Sequence, residues 1–209
     1  MAVVRVRQHV NPLSKKYQTP VNPPAWDKVY AGTQPLHLDI GCGKGRFLLS
    51  MARRQPNWNF LGLEIREPLV QEANNWRNEL GLTNLHYLFC NVSNSLPSIL
   101  GSLPNGTLQR VTIQFPDPWF KNRHNKRRVV QAELVAQLAT YMATGGIVFL
   151  QSDVEVVAVE MRDRFASHPA FQRQGEEWLL ENPLSVPTER EQTTLSRLEP
   201  VYRALFVKV

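Results

Sequence analysis

The chain has 209 residues, 43% of them hydrophobic, which is enough for one globular domain with a single packed core. Its formal net charge of +6 favours a polyanionic partner over an acidic metabolite. No apolar run approaches the roughly 18 residues of a membrane span, the start lacks the apolar core of a secretory signal, and the two cysteines have no paired spacing. We therefore expect a cytoplasmic protein with no membrane segment and no metal site.

Residues 1–34 differ in character from those that follow. This segment is rich in Pro, Asn, Lys and Arg and shows no sustained hydrophobic period, which predicts a basic N-terminal arm. From Leu36 onward, short apolar runs alternate with longer amphipathic stretches, as is typical of β-α-β units. We expect one α/β domain over residues 35–209.

Five strands and four helices are predicted in this domain. The strands cover residues 36–40, 59–64, 85–90, 110–115 and 146–151, and the helices cover residues 46–54, 68–80, 129–140 and 154–165. The alternating pattern of residues 202–209 predicts a last strand that pairs antiparallel at the edge. The predicted fold is a doubly wound, mostly parallel sheet with an antiparallel C-terminal edge strand.

A glycine-rich turn separates the first strand from the first helix. Gly41 and Gly43 let the backbone approach a ligand closely, but a dinucleotide site would need another glycine where Arg46 stands. The carboxylate of Asp39 would repel a pyrophosphate and would suit a cationic amino acid or a sulfonium group. S-adenosylmethionine carries both groups and is the predicted cofactor.

Polar side chains also end the second and third predicted strands. Glu64 lies 25 residues after Asp39, where an acidic side chain accepts hydrogen bonds from both ribose hydroxyls. Asn91 follows the third strand, and its amide can donate and accept as recognition of an adenine edge requires. Because the carboxyl ends of parallel strands meet at one edge, both residues are expected in the same cofactor site.

The fourth predicted strand leads into Pro116-Asp117-Pro118-Trp119. A residue before a proline favours extended backbone geometry, so Asp117 should be presented rigidly at the same edge of the sheet. The prolines could instead simply end a strand, with Trp119 in the core. The basic run that follows favours a pocket for a base.

Residues 121–128 contain five Lys or Arg side chains. Such runs are often solvated loops, but the position of this one beside the predicted cofactor edge favours contact with an RNA backbone.

The combination of motifs resembles a known family. Pro-Asp-Pro-Trp is followed by Lys121 and then by Arg-His-x-Lys-Arg-Arg, and Thr188-Glu189-Arg190-Glu191 precedes the closing strand. This pattern is similar to that of the bacterial tRNA (guanine-N7)-methyltransferases, which have a Rossmann-like, class I S-adenosylmethionine-dependent fold. The resemblance covers residues 35–209 and implies methylation of N7 of a guanine in the tRNA variable loop.

The resemblance also implies roles for single residues. Asp39, Glu64, Asn91 and Asp117 would contact the cofactor or its reacting end, beside the turn of Gly41 and Gly43. The residues that would contact the guanine-bearing substrate are Lys121, Asp153, Thr188, Glu189, Arg190 and Glu191. Those that would face the RNA are Arg123, His124, Asn125, Lys126, Arg127 and Arg128. Without the resemblance, Asp153 and the Thr-x-x-Glu motif would be interpreted as helix caps.

The chemistry of this reaction fits the residue types. Guanine N7 has an available lone pair and no proton at neutral pH, so its methylation needs no general base. Positive charge leaves the sulfonium and appears on the purine ring, where nearby carboxylates stabilise it. We expect Asp117 to be the catalytic residue that positions the guanine, with acids inside the cleft and cations outside.

Two other functions stay open. One is an RNA methyltransferase that acts on an exocyclic amine, in which Asp-Pro-Trp would resemble an Asp/Asn-Pro-Pro-aromatic motif, although the second proline is missing. The other is a noncatalytic RNA-binding module, which would need no sulfonium pocket. The residues do not decide between a monomer and a homodimer, or which tRNAs are accepted.

Overall fold

The computed structural model describes residues 10–184 and 186–209, without the side chain of Asn122. In these ranges the strands form one sheet. They are β1 (Leu36–Ile40), β2 (Asn59–Glu64), β3 (Leu85–Phe89), β4 (Leu108–Gln114), β5 (Met142–Ser152), β6 (Phe171–Arg173) and β7 (Tyr202–Lys208). Their order across the sheet is β3-β2-β1-β4-β5-β7-β6.

Helices connect most of these strands. They are α1 (Trp26–Val29), α2 (Arg46–Arg54), α3 (Glu67–Glu79), α4 (Val92–Gly101), α5 (Ala132–Tyr141), α6 (Glu155–Ala166) and α7 (Glu189–Ser196). Short 3₁₀ helices cover Lys15–Tyr17 and Asn122–Arg127. No helix in the described ranges has both the length and the apolar character that crossing a membrane requires.

The order of the strands opens a cleft beside β1. Strands β1 to β5 are parallel, and β1 pairs with β2 on one side and with β4 on the other. The chain therefore winds outward to β3, returns to β4, and winds outward again in the other direction. Ligands bind beyond the carboxyl ends of the strands at such a switch point. The predicted site residues at the strand ends face this opening.

The predicted fold class is confirmed. The bounds of β1, β2 and α2 agree with the sequence prediction, and β7 pairs antiparallel with β5. The short strand β6 pairs with the outer side of β7 and was not predicted, since three residues carry too little pattern. Helix α4 was also missed because it contains Pro97 and a polar face of Asn and Ser.

Two hydrophobic clusters pack against the sheet. One joins alternate residues of β1 and β4 to α4, α5 and α6, and includes Leu38, Ile113 and Phe165. The other joins β2 and β3 to α2 and α3, and includes Phe60 and Tyr87. Successive strand residues point to opposite faces, and both faces of this sheet are covered. The strands β1 and β2 are therefore buried throughout.

The described part of the predicted arm packs against the domain. Tyr30 is buried and donates a hydrogen bond to the carbonyl of Phe60 at 3.0 Å. Residues earlier in this segment dock on one polar face of α4 and the residues that flank it. The side chains of that face are Asn91, Asn94, Ser95, Ser98 and Ser102. Spacings of three and four residues place them on one side of the helix.

This polar face binds mainly backbone groups of the arm. Asn94 donates to the carbonyl of Tyr17 at 2.8 Å, and Ser98 donates to the carbonyl of Val21 at 3.0 Å. Residues 10–34 are thus tied to the domain at several points. The boundary at residue 34 stays a prediction.

Gly62 lies where the backbone of β2 passes closest to its neighbours. A Cβ atom at this position would lie 2.6 Å from Cδ1 of Tyr87 and 2.8 Å from Sγ of Cys42. We expect Gly62→Ala to lower the free energy of unfolding by about 1–3 kcal/mol, measured by urea denaturation, because the extra methyl overpacks the core. Gly32→Ala is the control, since its Cβ would meet no atom within 4 Å. Equal stability of the two variants would contradict this account.

Candidate active site

Two adjoining cavities form the cleft at the carboxyl ends of the strands. The larger is about 830 Å³ and the smaller about 130 Å³. Residues that line both are Gly41, Arg66, Phe115, Pro116 and Asp117. The Asp117 loop and the glycine turn therefore border the same space, as the sequence predicted.

Asp39 ends β1, lines the larger cavity and is only 4% exposed. Its Oδ1 accepts a hydrogen bond from Oγ1 of Thr112 at 2.6 Å and a longer one from Nε2 of Gln114 at 3.4 Å. Since the hydroxyl of Thr112 donates to Asp39, Nε2 of His37 donates to that hydroxyl at 3.0 Å. Burial and the charge of Arg110 lower the pKa of His37 well below its usual value, which favours the neutral ring with its proton on Nε2.

The environment of Asp39 makes its carboxyl unusually basic. The pKa of Asp39 is raised to about 6, mainly by burial and to a smaller extent by the nearby charge of Glu64. Hydrogen bonds from Thr112 and Gln114 act in the opposite direction. An adjacent cation would therefore stabilise the ionised form.

The glycine turn has the backbone geometry that the sequence predicted. Gly41 and Gly43 have φ angles of 79° and 56°, in the left-handed region that favours glycine. The N–H of Gly43 donates to Oε2 of Glu64 at 2.9 Å. A Cβ at Gly41 would meet no protein atom within 4 Å, so the glycine leaves the cleft wall open to a ligand.

Glu64 ends β2 and lines the smaller cavity, where Arg66 occupies much of its hydrogen-bonding capacity. Oε1 accepts from the backbone N–H groups of Ile65 and Arg66, and the guanidinium of Arg66 contacts both oxygens at 2.9 and 3.0 Å. The buried carboxylate of Glu64 thus has an ion-pair partner and several hydrogen-bond donors. A ligand hydroxyl that binds Glu64 would share or replace the contacts of Arg66.

Asn91 lines the smaller cavity, but its amide contacts the arm. Its Nδ2 donates to the carbonyls of Pro12 and Tyr17 at 3.0 and 3.1 Å, while its Oδ1 accepts from the N–H of Ser93 and caps α4. Both amide hydrogens of Asn91 are thus already donated to the arm, whereas recognition of an adenine edge would need one of them free to donate. Val10 and Pro12 form part of the cavity wall instead.

The loop that carries Asp117 is bounded by two unusual backbone conformations. Phe115 and Trp119 have φ angles of 49° and 44°, and such conformations in residues other than glycine often occur at functional sites. Arg127 lies over the Trp119 ring, with its guanidinium carbon 4.9 Å from the ring centre. The loop is therefore held by its own geometry and by the basic segment that follows it.

The predicted substrate residues fall into two groups. Asp153 lines the larger cavity and binds Arg190, whose Nε lies 2.7 Å from Oδ2 of Asp153. Asp153 does not cap a helix, so the simpler interpretation of this residue is wrong. Glu189 lines the same cavity and forms an ion pair with Arg46.

Thr188 and Glu191 form a capping box at the start of α7. Thr188 lines the larger cavity, but Glu191 is only 1% exposed. Its carboxylate binds Arg203 at 2.8 Å and Asn182 at 2.7 Å. Glu191 is therefore occupied by partners inside the protein, and its expected contact with the substrate stays a prediction.

The basic segment is mixed in exposure. Lys121, Arg123 and Lys126 are exposed, and neither cavity is lined by Lys121. His124 and Asn125 are half-buried, and the ring of His124 lies edge-on to Trp119 at 5.6 Å.

Arg128 differs from the other cations of the segment. It is only 9% exposed, forms an ion pair with Glu160 and donates to the carbonyl of Pro118 at 2.8 Å. Its guanidinium thus braces the Asp117 loop from inside. This burial in an ion pair differs from the RNA-facing orientation expected for Arg128, whose contact with RNA stays a prediction.

Two cleft residues were missed at the sequence level. Arg66 follows Glu64 by two positions, and Gln114 ends β4 with its side chain in the larger cavity. A polar residue at the end of a buried strand was an available signal for Gln114. No local pattern indicated that Arg66 turns back onto Glu64.

Asp39 should make the stability of the ligand-free protein depend on pH. Its pKa is raised in the folded state, so the folded protein loses stability as pH rises through about 4 to 6. We expect Asp39→Asn to raise the free energy of unfolding at pH 8 by up to about 2–3 kcal/mol, with the difference vanishing near pH 4. Urea denaturation at both pH values measures this effect, with the exposed Glu199→Gln as the control. A pH-independent difference would contradict the assignment.

Known proteins are similar to this chain in sequence, and others are similar to it in fold. Residues 33–204 match the model of a family described as "Putative methyltransferase". A tRNA (guanine-N(7)-)-methyltransferase of Trichormus variabilis is 69% identical, with 99% of this chain and 97% of the relative covered. One of the same name from Synechococcus elongatus is 62% identical, with 100% and 98% covered.

A solved structure supports the fold at much lower identity. The geranyl diphosphate C-methyltransferase of Streptomyces coelicolor, in complex with S-adenosyl-L-homocysteine, is 14% identical and has a TM-score of 0.54. The match covers 88% of this chain and 76% of that one. With near-complete relatives at more than 60% identity and a methyltransferase fold around the cleft, the chain belongs to the tRNA (guanine-N7)-methyltransferase family.

Proposed function

We propose that this protein transfers a methyl group from S-adenosylmethionine to N7 of a guanine in the variable loop of tRNA. The observation that carries the proposal is that Asp39, the glycine turn and Asp117 border one cleft, with exposed cations directly beyond it. The names of the relatives supply the substrate class. We place the reaction in the cytoplasm, where Cys42 and Cys90 would stay reduced.

The cleft has room and charge for S-adenosylmethionine. The larger cavity is within the usual size range of small-molecule sites, and Asp39 provides a buried carboxylate for the amino group of a ligand. The turn of Gly41 and Gly43 leaves space against the backbone. Glu64 would accept from the ribose hydroxyls, with the guanidinium of Arg66 shifted to allow it.

The arm would form one wall of the adenine part of this site. Val10 and Pro12 line the smaller cavity, and Asn91 holds the carbonyl of Pro12. Asn91 then contributes by fixing the arm, and its second Oδ1 lone pair is the part that can still face a ligand. Apolar contact with Ile40, Leu63 and Val92 fits the face of a purine.

Asp117 would lie where the reacting groups meet. In support, it lines both cavities, and the larger cavity is also lined by Asp153 and Thr188. When bound, S-adenosylmethionine supplies an electrophilic methyl on a sulfonium, and the N7–carbon bond forms as the sulfur–carbon bond breaks. Asp117 would hold the guanine so that N7 faces the methyl, and its charge would stabilise the cationic purine.

The exposed cations beside the loop would bind the tRNA backbone. Lys121, Arg123 and Lys126 lie in the segment that directly follows Phe120, which is 70% exposed at the mouth of the larger cavity. Phosphate contacts of this kind orient a nucleic acid without reading its sequence. They would bring one guanine to the cleft.

Incubation with bulk tRNA and methyl-labelled S-adenosylmethionine tests the function directly. We expect label in 7-methylguanosine within the variable loop, which also makes the strand sensitive to ring opening and scission. Label on an exocyclic amine without that sensitivity would support the alternative methyltransferase. Absence of label and of cofactor binding would support the RNA-binding module.

The role of Asp117 predicts a change in turnover. We expect Asp117→Asn to lower kcat by about 100-fold, because the neutral amide no longer stabilises the positive charge on the purine. The dissociation constant of S-adenosylmethionine, measured by calorimetry, should change much less. Glu199→Gln, an exposed change of the same kind, is the control, and unchanged turnover of Asp117→Asn would refute the role.

Phosphate binding by the basic segment predicts a salt dependence. The slope of log affinity for tRNA against log salt should become shallower by about 1.4 in the Arg123→Gln/Lys126→Gln double variant, using the single-strand coefficient of about 0.7 per contact. Arg53→Gln is the control, since α2 begins at the cleft and Arg53 is exposed near its far end. Filter binding at several salt concentrations measures the slopes. The same slope in both variants would exclude this surface.

A further inference from the structure

A row of hydrogen-bonded polar side chains connects Asp39 to the far side of the cleft. Gln114, Gln151 and Arg203 are register partners on the adjacent strands β4, β5 and β7. Nε2 of Gln151 donates to Oε1 of Gln114 at 2.8 Å and to Oε2 of Glu191 at 3.2 Å. Nε2 of Gln114 then lies 3.4 Å from Oδ1 of Asp39.

The charge of Glu191 sets the direction of every bond in this row. Glu191 is paired with Arg203, and a carboxylate only accepts, so Gln151 must turn its NH₂ group toward it. The same NH₂ group donates to Gln114, which leaves the NH₂ group of Gln114 to face Asp39. The opposite orientation of Gln151 would bring two oxygen atoms together. Glu191 thus determines which end of the Gln114 amide faces the cleft.

This arrangement leaves one polar atom without a partner. Among the described residues, no hydrogen bond reaches Oε1 of Gln151, and the residue is completely buried. An unpaired buried acceptor destabilises a protein, and such groups in native proteins often have a functional explanation. The orientation of the Gln151 amide is therefore set by Gln114 and Glu191, although it leaves Oε1 of Gln151 without a hydrogen bond among the described residues.

Glu191 also fixes the substrate side of the cleft. Its Oε2 accepts from the N–H of Thr188 at 3.4 Å, and its own N–H donates to Oγ1 of Thr188 at 3.1 Å. This box holds the first turn of α7, from which Thr188, Glu189 and Arg190 line the larger cavity. One carboxylate therefore has contacts that lead to both sides of the cleft.

We propose that Glu191, Gln151 and Gln114 are positioning residues for the methyl transfer. Together they keep the NH₂ group of Gln114 directed at the carboxylate of Asp39, and Glu191 at the same time fixes the first turn of α7 on the other side of the cleft. The inference rests on the proposed function, since it assigns Asp39 to the amino end of S-adenosylmethionine. Gln151 lines neither cavity, so an effect of its substitution on cofactor binding must pass through its partners Gln114 and Glu191, and only the path through Gln114 reaches the pKa of Asp39.

The influence of the row on Asp39 can be measured through the pH dependence of cofactor binding, because the groups around Asp39 set its pKa. Besides Gln114, its hydroxyl partner Thr112 lowers its pKa, while burial and the charge of Glu64 raise it. His37 behind Thr112 is neutral. Loss of the donor from Gln114 raises the pKa further, so cofactor binding should fail at a higher pH than in the unchanged protein.

The test is calorimetric titration of S-adenosylmethionine into full-length Gln151→Met from about pH 5.5 to pH 8.5. This change keeps the volume, and Glu191 retains Arg203, Asn182 and Thr188 as partners. We expect binding about tenfold weaker below pH 6, and within about twofold of the unchanged protein at pH 8.5, as for a midpoint raised by one unit. A loss of equal size at every pH, as from general distortion, would overturn the inference.

Two further variants complete the experiment. Gln137→Met removes a glutamine on α5 whose Oε1 is also buried without a partner among the described residues, and it should leave the pH profile unchanged. Gln114→Met should raise the midpoint of the pH dependence of cofactor binding as Gln151→Met does. It replaces Gln151→Met in the test if that variant does not fold. Binding with an unchanged midpoint in both cleft variants refutes this inference alone, whereas no binding by the unchanged protein refutes the proposed function.

Discussion

The cleft depends on two buried carboxylates, Asp39 and Glu64, which lie at the ends of the neighbouring strands β1 and β2. A buried charge is costly unless hydrogen bonds or an opposite charge accompany it. Glu64 has the guanidinium of Arg66 and backbone N–H groups, so its charge is already balanced. Asp39 has only a hydroxyl and an amide, and its pKa rises to about 6. Asp39 is thus the carboxylate whose charge a cationic ligand could neutralise.

Charge in the cleft is less segregated than the sequence suggested. Arg66 lines both cavities and Arg127 lines the smaller one, so cations lie inside as well as outside. Each has a local partner: Arg66 binds Glu64, and Arg127 lies over Trp119. Arg128, although part of the same basic run, is used to brace the loop. A run of like charges in sequence therefore divides into structural and exposed members once the loop folds.

The sequence predicted those features that depend on short-range pattern. Strand ends after apolar runs located Asp39 and Glu64, and the prolines located Asp117, because the topology brings such ends together. It could not predict contacts that depend on side-chain direction across distant segments. The burial of Glu191 requires β7 to supply Arg203, and the commitment of Asn91 requires the arm to return to α4. Local spacing carries no information on either event.

The docking of the arm on α4 has a practical consequence for anyone who prepares this protein. Val10 lies in the wall of the smaller cavity, so an affinity tag or fusion partner at the amino terminus is attached only nine residues from the proposed adenine site. Strand β7 runs away from the cleft, since Tyr202 pairs with Ser152 at its near end and Lys208 pairs with Phe171 at its far end. A carboxyl-terminal tag at Val209 therefore leaves the entrance free for cofactor and tRNA.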